Sequence, residues 1–526
     1  MLTGRQKARF LKNATFGVTE DLLTDLGDDD PWVWMDRQMR MPLGRRHTSW
    51  ANEIAGSAGQ SPEPLFGVMD GKEFNVNQMW RGYIEAPDQL RKRVGAALLE
   101  IFVVNARVAF IGIRNNMRAT CSFVDMLEAN AFGNFDQLLR SVAIHPAMGY
   151  FLSHLGNEKA EYGPDGVETR IPDENFAREI LQLFTIGLHQ LEIDGTVRRD
   201  INGSPIETYD QADIFNLARV FTGWGLDQSV EKNKDRVVRP MVANRSTHAP
   251  EEKRFLGLTI PAGTDPLRSL DLAIEHIANH ANVGPFIAKL LIQRLVTANP
   301  SKTYIRRVAE VFNDNGSGVR GDMGAVIKHV LWWGQEATEM QPPLEVDGQP
   351  IGSVRGKVRE PMVRLSAVAR YLGCSSSRVL YPIGNLSDMR SGIGQSPLKS
   401  PSVFNFFRPG YVPPNSELAE RGLLSPEFQI TTGTQVIGSV NTINRFIRTA
   451  DQYMQTDTAR LEALAASPSA IVDDATLMLT GGRQLDRDYR TSIIGHVERV
   501  PASDRRRRYQ YAVIGVASSP EFLIEN

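Results

Sequence analysis

Apolar residues recur at three- and four-residue spacing through most of the chain, and this periodicity constrains the fold more than any other feature. It runs through residues 88–113 and 121–143 and returns at 268–297, 302–314 and 426–454. Such spacing places apolar side chains on one face of a helix, whereas alternating strand patterns are few and short. We therefore predict a mainly α fold: a large multi-helix single domain with long ordered loops and few short strands.

Chain length and loop composition indicate how these helices are organised. At 526 residues the chain is long enough for several hydrophobic cores. Residues 40–66 are rich in Gly, Pro and Ser, which is typical of a loop. We predict an N-terminal helical part and loop at 1–66 and a main helical domain at 67–526, with one continuous domain over 1–526 as the alternative.

Composition excludes several classes of function. The net charge of -2 argues against nucleic acid as a partner, since nucleic-acid binding usually requires a basic domain. Cys121 and Cys374 are too few for a disulfide framework and fit buried thiols better than a zinc site. The chain has no phosphate-binding loop, no HExxH and no CxxC motif. We predict no cofactor and no metal.

Neither a signal peptide nor a membrane span is predicted. The N-terminal MLTGRQKARFLKNATFG has basic residues but no apolar segment, which a signal peptide requires. The most apolar stretch, residues 94–113, contains Glu100, Asn105 and Arg107. A charge at the centre of a bilayer is costly, so we interpret this stretch as a buried helix.

The segment PDENFAREILQLFTIGLHQL, residues 172–191, carries the candidate site. We predict a helix over 174–190 with Asp173 as its N-cap. Its apolar residues cover a wide arc, which indicates burial on most sides. The remaining strip has polar residues at helical spacing and no lysine. Its members are Asn175, Arg178, Glu179, Gln182 and His189.

Two interpretations of this polar strip remain open. The strip could be solvated, with Glu174 and Arg178 as an exposed i,i+4 ion pair. Alternatively it could face an internal polar cavity, because Asn, Arg, Gln and His are versatile hydrogen-bonding side chains. In the second case a buried Glu179 would need a partner, and a carboxylate with a perturbed pKa would mark a functional site.

Several long stretches resemble one known family. FGNFDQLLRSVAIHPAMGYFLSHLGN, PDENFAREILQLFTIGL and YDQADIFNLARVFTGW stand in this order, followed by NVGPFIAKLLIQRLVTANPS and IGQSPLKSPSVFNFFRPGYVPP. Together with the C-terminal ASSPEF, they make nearly the whole chain resemble the bacterial domain of unknown function 1800 family. This chain has Phe176 where the family commonly has tyrosine, which we expect to remove one hydroxyl from the polar strip.

The resemblance implies a largely helical, exported bacterial protein. We therefore expect a periplasmic or extracellular location, with the cytoplasm as the alternative because no signal peptide is recognised. Genes of the family often lie beside one for a sulfatase-like protein, which implies a possible partner. No reaction is attached to the family. The residues that match its pattern are His145, Asp173, Glu174, Asn175, Arg178, Glu179, Thr222, Gly223, Trp224 and the Phe404–Tyr411 loop.

Three further positions are candidates outside the strip. His145 precedes a proline, so we predict that it ends the preceding helix, with a role in the site as the alternative. His248 lies in a polar connection and could contact a substrate. The aromatic loop that contains Arg408 and Tyr411 could form a platform for sugar rings or a plug that closes the core.

We predict that the protein acts on or binds an extracellular polysaccharide or another envelope polymer. The sequence leaves open whether it is an enzyme. Cleavage of a glycosidic bond would use two carboxyls about 5 to 10 Å apart. The alternative is a non-catalytic binding or assembly partner of the sulfatase-like protein. The predicted catalytic residues are Glu179, Arg178, His189 and His145, and the predicted binding residues are Asn175, Gln182, Trp224, His248, Arg408 and Tyr411.

Overall fold

The computed structural model of the protein describes residues 2–56, 74–105, 117–229, 236–340, 345–346, 349–350, 356–378, 381–390 and 392–525. Helices dominate these residues, so the predicted mainly α fold is confirmed. In chain order the α-helices are α1 Gly4–Ala14, α2 Glu20–Leu26, α3 Pro31–Arg40, α4 His47–Gly56, α5 Phe74–Glu85, α6 Gln89–Ile101, α7 Met117–Ala129, α8 Phe135–Ala143, α9 Pro146–Phe151, α10 Asn175–Gln182, α11 Gln211–Val220, α12 Pro266–Ala278, α13 Val283–Leu295, α14 Lys302–Asn313, α15 Met323–Met340, α16 Pro361–Tyr371, α17 Glu417–Glu420, α18 Gly433–Thr449, α19 Ala459–Leu464, α20 Pro468–Thr480, α21 Arg487–Glu498, α22 Arg505–Ala517 and α23 Pro520–Leu523. Short 3-10 helices cover Pro426–Ile430 and Ala450–Gln452.

The strands within the described residues are two or three residues long and pair as antiparallel two-stranded ribbons. Four ribbons join neighbouring strands, and β9 pairs instead with β10 at the end of the described chain. The strands are β1 Glu161–Tyr162, β2 Glu168–Arg170, β3 Trp224–Gly225, β4 Val242–Ala243, β5 Lys253–Phe255, β6 Leu258–Ile260, β7 Glu345–Val346, β8 Gln349–Pro350, β9 Lys357–Val358 and β10 Ile524–Glu525.

The helices begin where short polar side chains can bind the free amides of a first turn. Thr3 and Asp210 form capping boxes at α1 and α11, each with the residue three positions later. Asp265 caps α12, whose first residue is proline, and Ser301 caps α14. These starts are encoded locally, because each cap lies directly before its helix.

The chain packs into two compact units. Unit 1 comprises residues 1–97, 292–300 and 330–526, and unit 2 comprises 98–291 and 301–329. The boundary predicted near residue 66 falls at a position outside the described residues, so that division of the chain stays a prediction.

Helix α16 forms the core of unit 1. All of its residues except Arg370 are buried, and it packs against α5, α18 and α20. Helix α22 in turn packs against α18, α19, α20 and α21. The pairing of β10 with β9 fixes the C-terminal segment beside the start of α16.

Buried charges at the start of α16 are paired with opposite charges. The Lys357 ammonium lies 3.1 Å from the Glu427 carboxylate and 3.5 Å from that of Glu360. Arg359 pairs with Glu525 at 3.4 Å. Desolvation alone would lower the pKa of Lys357, but Glu427 and Glu360 outweigh it and raise that pKa. The pairing compensates for the cost of removing these charges from water.

The core of unit 2 contains a cluster of aromatic rings. Phe102 contacts Phe184 and Phe135 contacts Phe312, each with ring centroids 5.3 Å apart. Helix α11 packs against α10, α12 and β5 around this core. Helix α10, which carries the predicted polar strip, therefore packs against α11.

Among the described residues, no helix combines the length and the apolar character needed to cross a membrane. The apolar stretch 94–113 begins within α6, which ends at Ile101. Residues 106–113 of this stretch lie outside the described residues.

The ion pairs of Lys357 give a test of the core of unit 1. We expect Glu427→Gln to lower the free energy of unfolding by about 3–5 kcal/mol, because it leaves a buried ammonium with one carboxylate fewer. Urea unfolding followed by circular dichroism measures the change. The control is Glu417→Gln, which breaks the exposed pair with Arg421 and should cost less than about 1 kcal/mol. Equal losses would contradict the assigned role of Glu427.

Candidate functional site

Helix α10 is shorter than the sequence predicts. It covers Asn175–Gln182, so the predicted helix over 174–190 is wrong in its second half. The amides of Ile186 and Gly187 both donate to the Leu181 carbonyl, and Gly187 adopts a left-handed φ of 71°. A left-handed glycine after such bonds ends a helix. The chain then turns away from the helix axis.

His189 consequently lies outside the helix, which corrects its predicted place on the polar strip. It forms an antiparallel bridge with Glu207, and its main-chain carbonyl accepts a hydrogen bond from Asn282 at 2.8 Å. The segment after α10 is thus tied to Glu207 by an isolated bridge and to Asn282, the residue preceding α13. An acid/base role for His189 stays a prediction, but α10 does not position it.

The start of α10 follows the prediction more closely. The Asp173 carboxylate accepts a hydrogen bond from the Asn175 amide at 2.8 Å, so it binds a free amide of the first turn. Glu174 precedes the helix directly, and its side chain makes no capping bond. It is therefore available to other partners.

A polar cluster forms where α10 meets the start of α11. Arg178 contacts the Glu174 carboxylate at 3.1 Å and the Gln211 side-chain oxygen at 3.4 Å. The Gln211 amide donates to Glu174 at 2.7 Å, which closes a ring of three side chains. The expected i,i+4 pair of Glu174 and Arg178 is confirmed. The polar cluster comprises Glu174, Arg178, Glu179, Gln182, Tyr209 and Gln211.

Glu179 differs from its neighbours in having a carboxylate oxygen with no hydrogen-bond partner among the described residues. It is only 8% exposed, one carboxylate oxygen is shielded from solvent, and no described residue donates to that oxygen. Burial raises the pKa of Glu179, and the nearby Arg178 opposes that rise only in part. Unpaired buried carboxylates are uncommon because they cost stability. Glu179 is therefore the group in this cluster that a structural role explains least.

Tyr209 lies close to the same carboxyl. Its hydroxyl is 3.5 Å from the Gln182 side-chain oxygen. Burial raises the pKa of Tyr209 to about 12, Arg178 opposes the rise, and Glu179 adds to it. The phenol therefore stays protonated at neutral pH and can donate a hydrogen bond beside Glu179.

The polar cluster is shallow and accessible to solvent. The side chain of Arg178 is 40% exposed and that of Glu174 is 25% exposed. Asn175 is exposed, and Gln182 and Tyr209 are half-buried. A ligand at this surface can meet a carboxyl, a guanidinium, two amides and a phenol. The strip is thus partly solvated, as the first interpretation has it, whereas an internal polar cavity beside the buried Glu179 stays a prediction.

Phe176 lies on the opposite side of α10, in the core. Its ring stacks on His154 with centroids 3.9 Å apart and meets Phe221 edge-on at 4.6 Å. The expectation that phenylalanine at this position removes a hydroxyl from the polar strip is wrong, because the side chain is fully buried.

His145 begins a helix and does not end one, contrary to the prediction. Its Nδ1 accepts from the Ala147 amide at 3.1 Å and so caps α9. Its Nε2 lies 3.2 Å from the Ser122 hydroxyl. Burial lowers the pKa of His145 to about 3, so the ring is neutral and both nitrogens serve the local structure. Its predicted acid/base role receives no support from this geometry.

Trp224 and His248 are core residues of unit 2. The Trp224 indole is 2% exposed and donates to the Val220 carbonyl at 3.3 Å. His248 is 3% exposed, and its Nδ1 lies 2.8 Å from the Thr222 carbonyl. Burial lowers the pKa of His248, which keeps the ring neutral. Their predicted binding roles would require the core to open.

Arg408 and Tyr411 belong to unit 1, in the aromatic loop. The Arg408 guanidinium lies 5.1 Å from the centroid of the exposed Phe404 ring. Phe407 is 1% exposed and packs under Arg294. The loop therefore contains a buried ring, Phe407, and an exposed pair, Arg408 and Phe404. Its predicted uses as a plug that closes the core and as a platform for sugar rings both stay predictions.

Sequence spacing thus located part of the polar cluster. Asn175, Arg178, Glu179 and Gln182 share one helix as predicted, whereas Tyr209 and Gln211 were missed as site residues. The predicted start of α11 was the available signal, because Tyr209 and Gln211 flank its N-cap, Asp210. Side chains at these positions lie at the N-terminal end of the helix. Nothing in the sequence showed which other helix that end would meet.

The model of the family described as "Protein of unknown function (DUF1800)" matches residues 9–524. The chain belongs to this family. No curated protein and no solved structure matches the chain. The resemblance found in the sequence is therefore confirmed, and the family description assigns no reaction. The function of this DUF1800 protein has to be argued from its own side chains.

The glycine that ends α10 can be tested directly. A Cβ at Gly187 would lie 2.8 Å from the Phe286 ring, so Gly187→Ala adds a steric clash to the strain of a left-handed residue. We expect a loss of roughly 2 kcal/mol or more in the free energy of unfolding. Gly203 is the matched control, because it has a φ of 82° but no atom within 4 Å of an added Cβ. Gly203→Ala should cost about 1 kcal/mol, and thermal unfolding that ranks the two variants the other way would contradict the role of Phe286.

Proposed function

We propose that the protein is an exported bacterial protein that acts on or binds an extracellular polysaccharide or another envelope polymer through the polar cluster. One observation carries the proposal: Glu179 is buried, has no hydrogen-bond partner among the described residues and lies at an accessible surface. A carboxyl in that state costs stability. Its presence beside the exposed side chains of the cluster supports a role in chemistry or binding.

The cluster provides the groups that acid-catalysed cleavage of a glycosidic bond requires. Glu179, whose pKa is raised by burial, can hold a proton at a higher pH than an ordinary carboxyl and donate it to a leaving oxygen. Glu174 is held by Arg178 and Gln211 and supplies a second carboxylate. Tyr209 can donate to a sugar hydroxyl beside them. One protonated and one ionised carboxyl is the arrangement of most glycosidases.

The proposals of export and of a polysaccharide ligand have a different basis from the proposed acid catalysis. The family resemblance supports a periplasmic or extracellular location. The choice of a polysaccharide follows from the cluster, since amides, a phenol and a guanidinium are donors and acceptors suited to hydroxyl-rich ligands.

The second candidate function is a non-catalytic binding or assembly partner of a sulfatase-like protein. The closed ring of Glu174, Arg178 and Gln211 favours it, because a fully bonded ring can be a structural element. In this case Glu179 would contribute to the fold or to a protein interface, and no polymer would be cleaved.

Substitution of Glu179 separates the two candidates. We expect Glu179→Gln to reduce polymer cleavage about 100-fold or more, because amides cannot donate the proton. The measurement is release of reducing ends from alginate, polygalacturonate and dextran, with retention in affinity electrophoresis as a readout of binding. Glu192→Gln is the control, since Glu192 is an exposed acid paired with Arg198 in the same unit. Absence of cleavage and binding by the wild-type protein on all three polymers, or full activity of Glu179→Gln, would reject the polysaccharide role.

Stability against pH gives an independent test of the state of Glu179. The pKa of Glu179 in the folded protein lies above the ordinary 4.5, so the folded state binds the proton more tightly than the unfolded state does. The folded protein therefore loses stability as the pH rises from 4.5 through the raised pKa. Glu179→Gln cannot ionise. We expect the variant to match the wild type below pH 4 and to exceed it at pH 7.5 by on the order of 1 kcal/mol. Urea unfolding at both pH values measures this difference. A variant less stable than the wild type at pH 7.5 would show that the charged carboxylate is paired.

A further inference from the structure

Unit 1 contains a cleft that the proposed function does not use. It has a volume of about 940 Å³ and lies between the first turn of α1, the end of α20 and the start of α21. This is within the range of small-ligand pockets. We call it the basic cleft, and its charged and amide side chains are Arg5, Asp473, Gln484, Arg487 and Arg490.

The lining of the basic cleft has an excess of positive charge. Three arginines face a single acid, Asp473, which already holds Arg490 through two hydrogen bonds of 2.7 Å. Arg5 and Arg487 are exposed. Neither guanidinium group has a hydrogen bond or an ion pair with any residue that the structure describes. Two guanidinium groups are therefore ready to bind a ligand.

The position of Arg5 is unfavourable for stability. It is the second residue of α1, whose first turn contains no acid, and a helix N-terminus favours acids over bases. Arg487 is the first residue of α21, where the Asp486 carboxylate already caps the amides of Asp488 and Tyr489. The Arg487 guanidinium is not needed for that cap, so it can bind an oxyanion in the cleft together with Arg5.

A smaller cavity extends the same surface. It has a volume of about 360 Å³, shares Arg5 and Gly482 with the basic cleft, and adds Arg9 and Arg483. Burial, with smaller contributions from Arg359, Arg9 and Arg483, lowers the pKa of Lys12 behind this surface to about 8 against the opposing effect of Glu525. The positively charged surface is therefore larger than the area that a single inorganic ion would contact.

We infer that the basic cleft binds an acidic oligosaccharide, held by Arg5 and Arg487 through its carboxylate or sulfate groups. Guanidinium groups match both kinds of oxyanion bidentately. The volume of the cleft exceeds what one inorganic ion would fill. Its lining has no aromatic side chain, and single-stranded nucleic acids depend on aromatic stacking. This inference goes beyond the function proposed for α10 and does not require Glu179 to be catalytic.

Calorimetric titration of the full chain tests the inference. The probes are a hexagalacturonate, a sulfated heparin hexasaccharide, a neutral maltohexaose and a single-stranded DNA hexamer. We expect one or both acidic oligosaccharides to bind, and their relative affinity distinguishes carboxylate from sulfate. Arg5→Gln and Arg487→Gln should each weaken that binding about tenfold. Their melting temperatures should not fall, because Arg5 is a charge that disfavours the start of α1 and Arg487 is an exposed surface residue.

The control variant is Arg499→Gln, which removes an exposed arginine at the other end of α21. It should leave the affinity unchanged. The inference is overturned if neither acidic oligosaccharide binds, if Arg499→Gln weakens binding as much as Arg5→Gln does, or if DNA binds more tightly than both oligosaccharides. Tight binding of maltohexaose would also overturn it, because charge would then not be the basis of recognition.

Discussion

Removal of charged side chains from water is the constraint that both units have to satisfy, and they satisfy it differently. In unit 1, Lys357 is buried beside Glu427 and Glu360, so its charge is compensated and it can help to hold the core. In unit 2, Glu179 is nearly as inaccessible, but no described residue donates a hydrogen bond to its shielded carboxylate oxygen. The same desolvation that requires pairing at Lys357 raises the pKa of Glu179. The first arrangement compensates a buried charge, and the second favours the protonated form of a carboxyl.

Helical periodicity predicted the fold class because it depends on residues close together in the sequence. The helix predicted over 302–314 is observed as α14, Lys302–Asn313, and its serine cap precedes it directly. The end of α10 was missed although its signal, Gly187, was present. Apolar residues continue past that glycine as far as Leu191, and their spacing outweighed a single residue that favours a left-handed turn.

The candidate site could be predicted only where one helix supplies it. Spacing alone placed Arg178 and Glu179 in the predicted polar strip, because consecutive residues of a helix stay adjacent whatever the length of that helix. Gln211 contacts Arg178 across 33 positions of sequence, and such a contact depends on how α11 packs against α10. The burial of the Glu179 side chain was the other quantity that the sequence could not predict. The sequence left open whether Glu179 is solvated, and the depth of its carboxyl depends on the whole of unit 2.

The early end of α10 separates the polar cluster from the loop that follows it. After Gly187 the chain makes two consecutive tight turns, with glycines at positions 195 and 203, and Ile201 at the second turn is fully exposed. The first of these turns packs against Ile305, whereas nothing among the described residues lies within 4 Å of an added Cβ at Gly203. An insertion at the exposed second turn is therefore expected to leave the fold intact, since loop tips tolerate added residues, and Gly187 ends α10 well before that point.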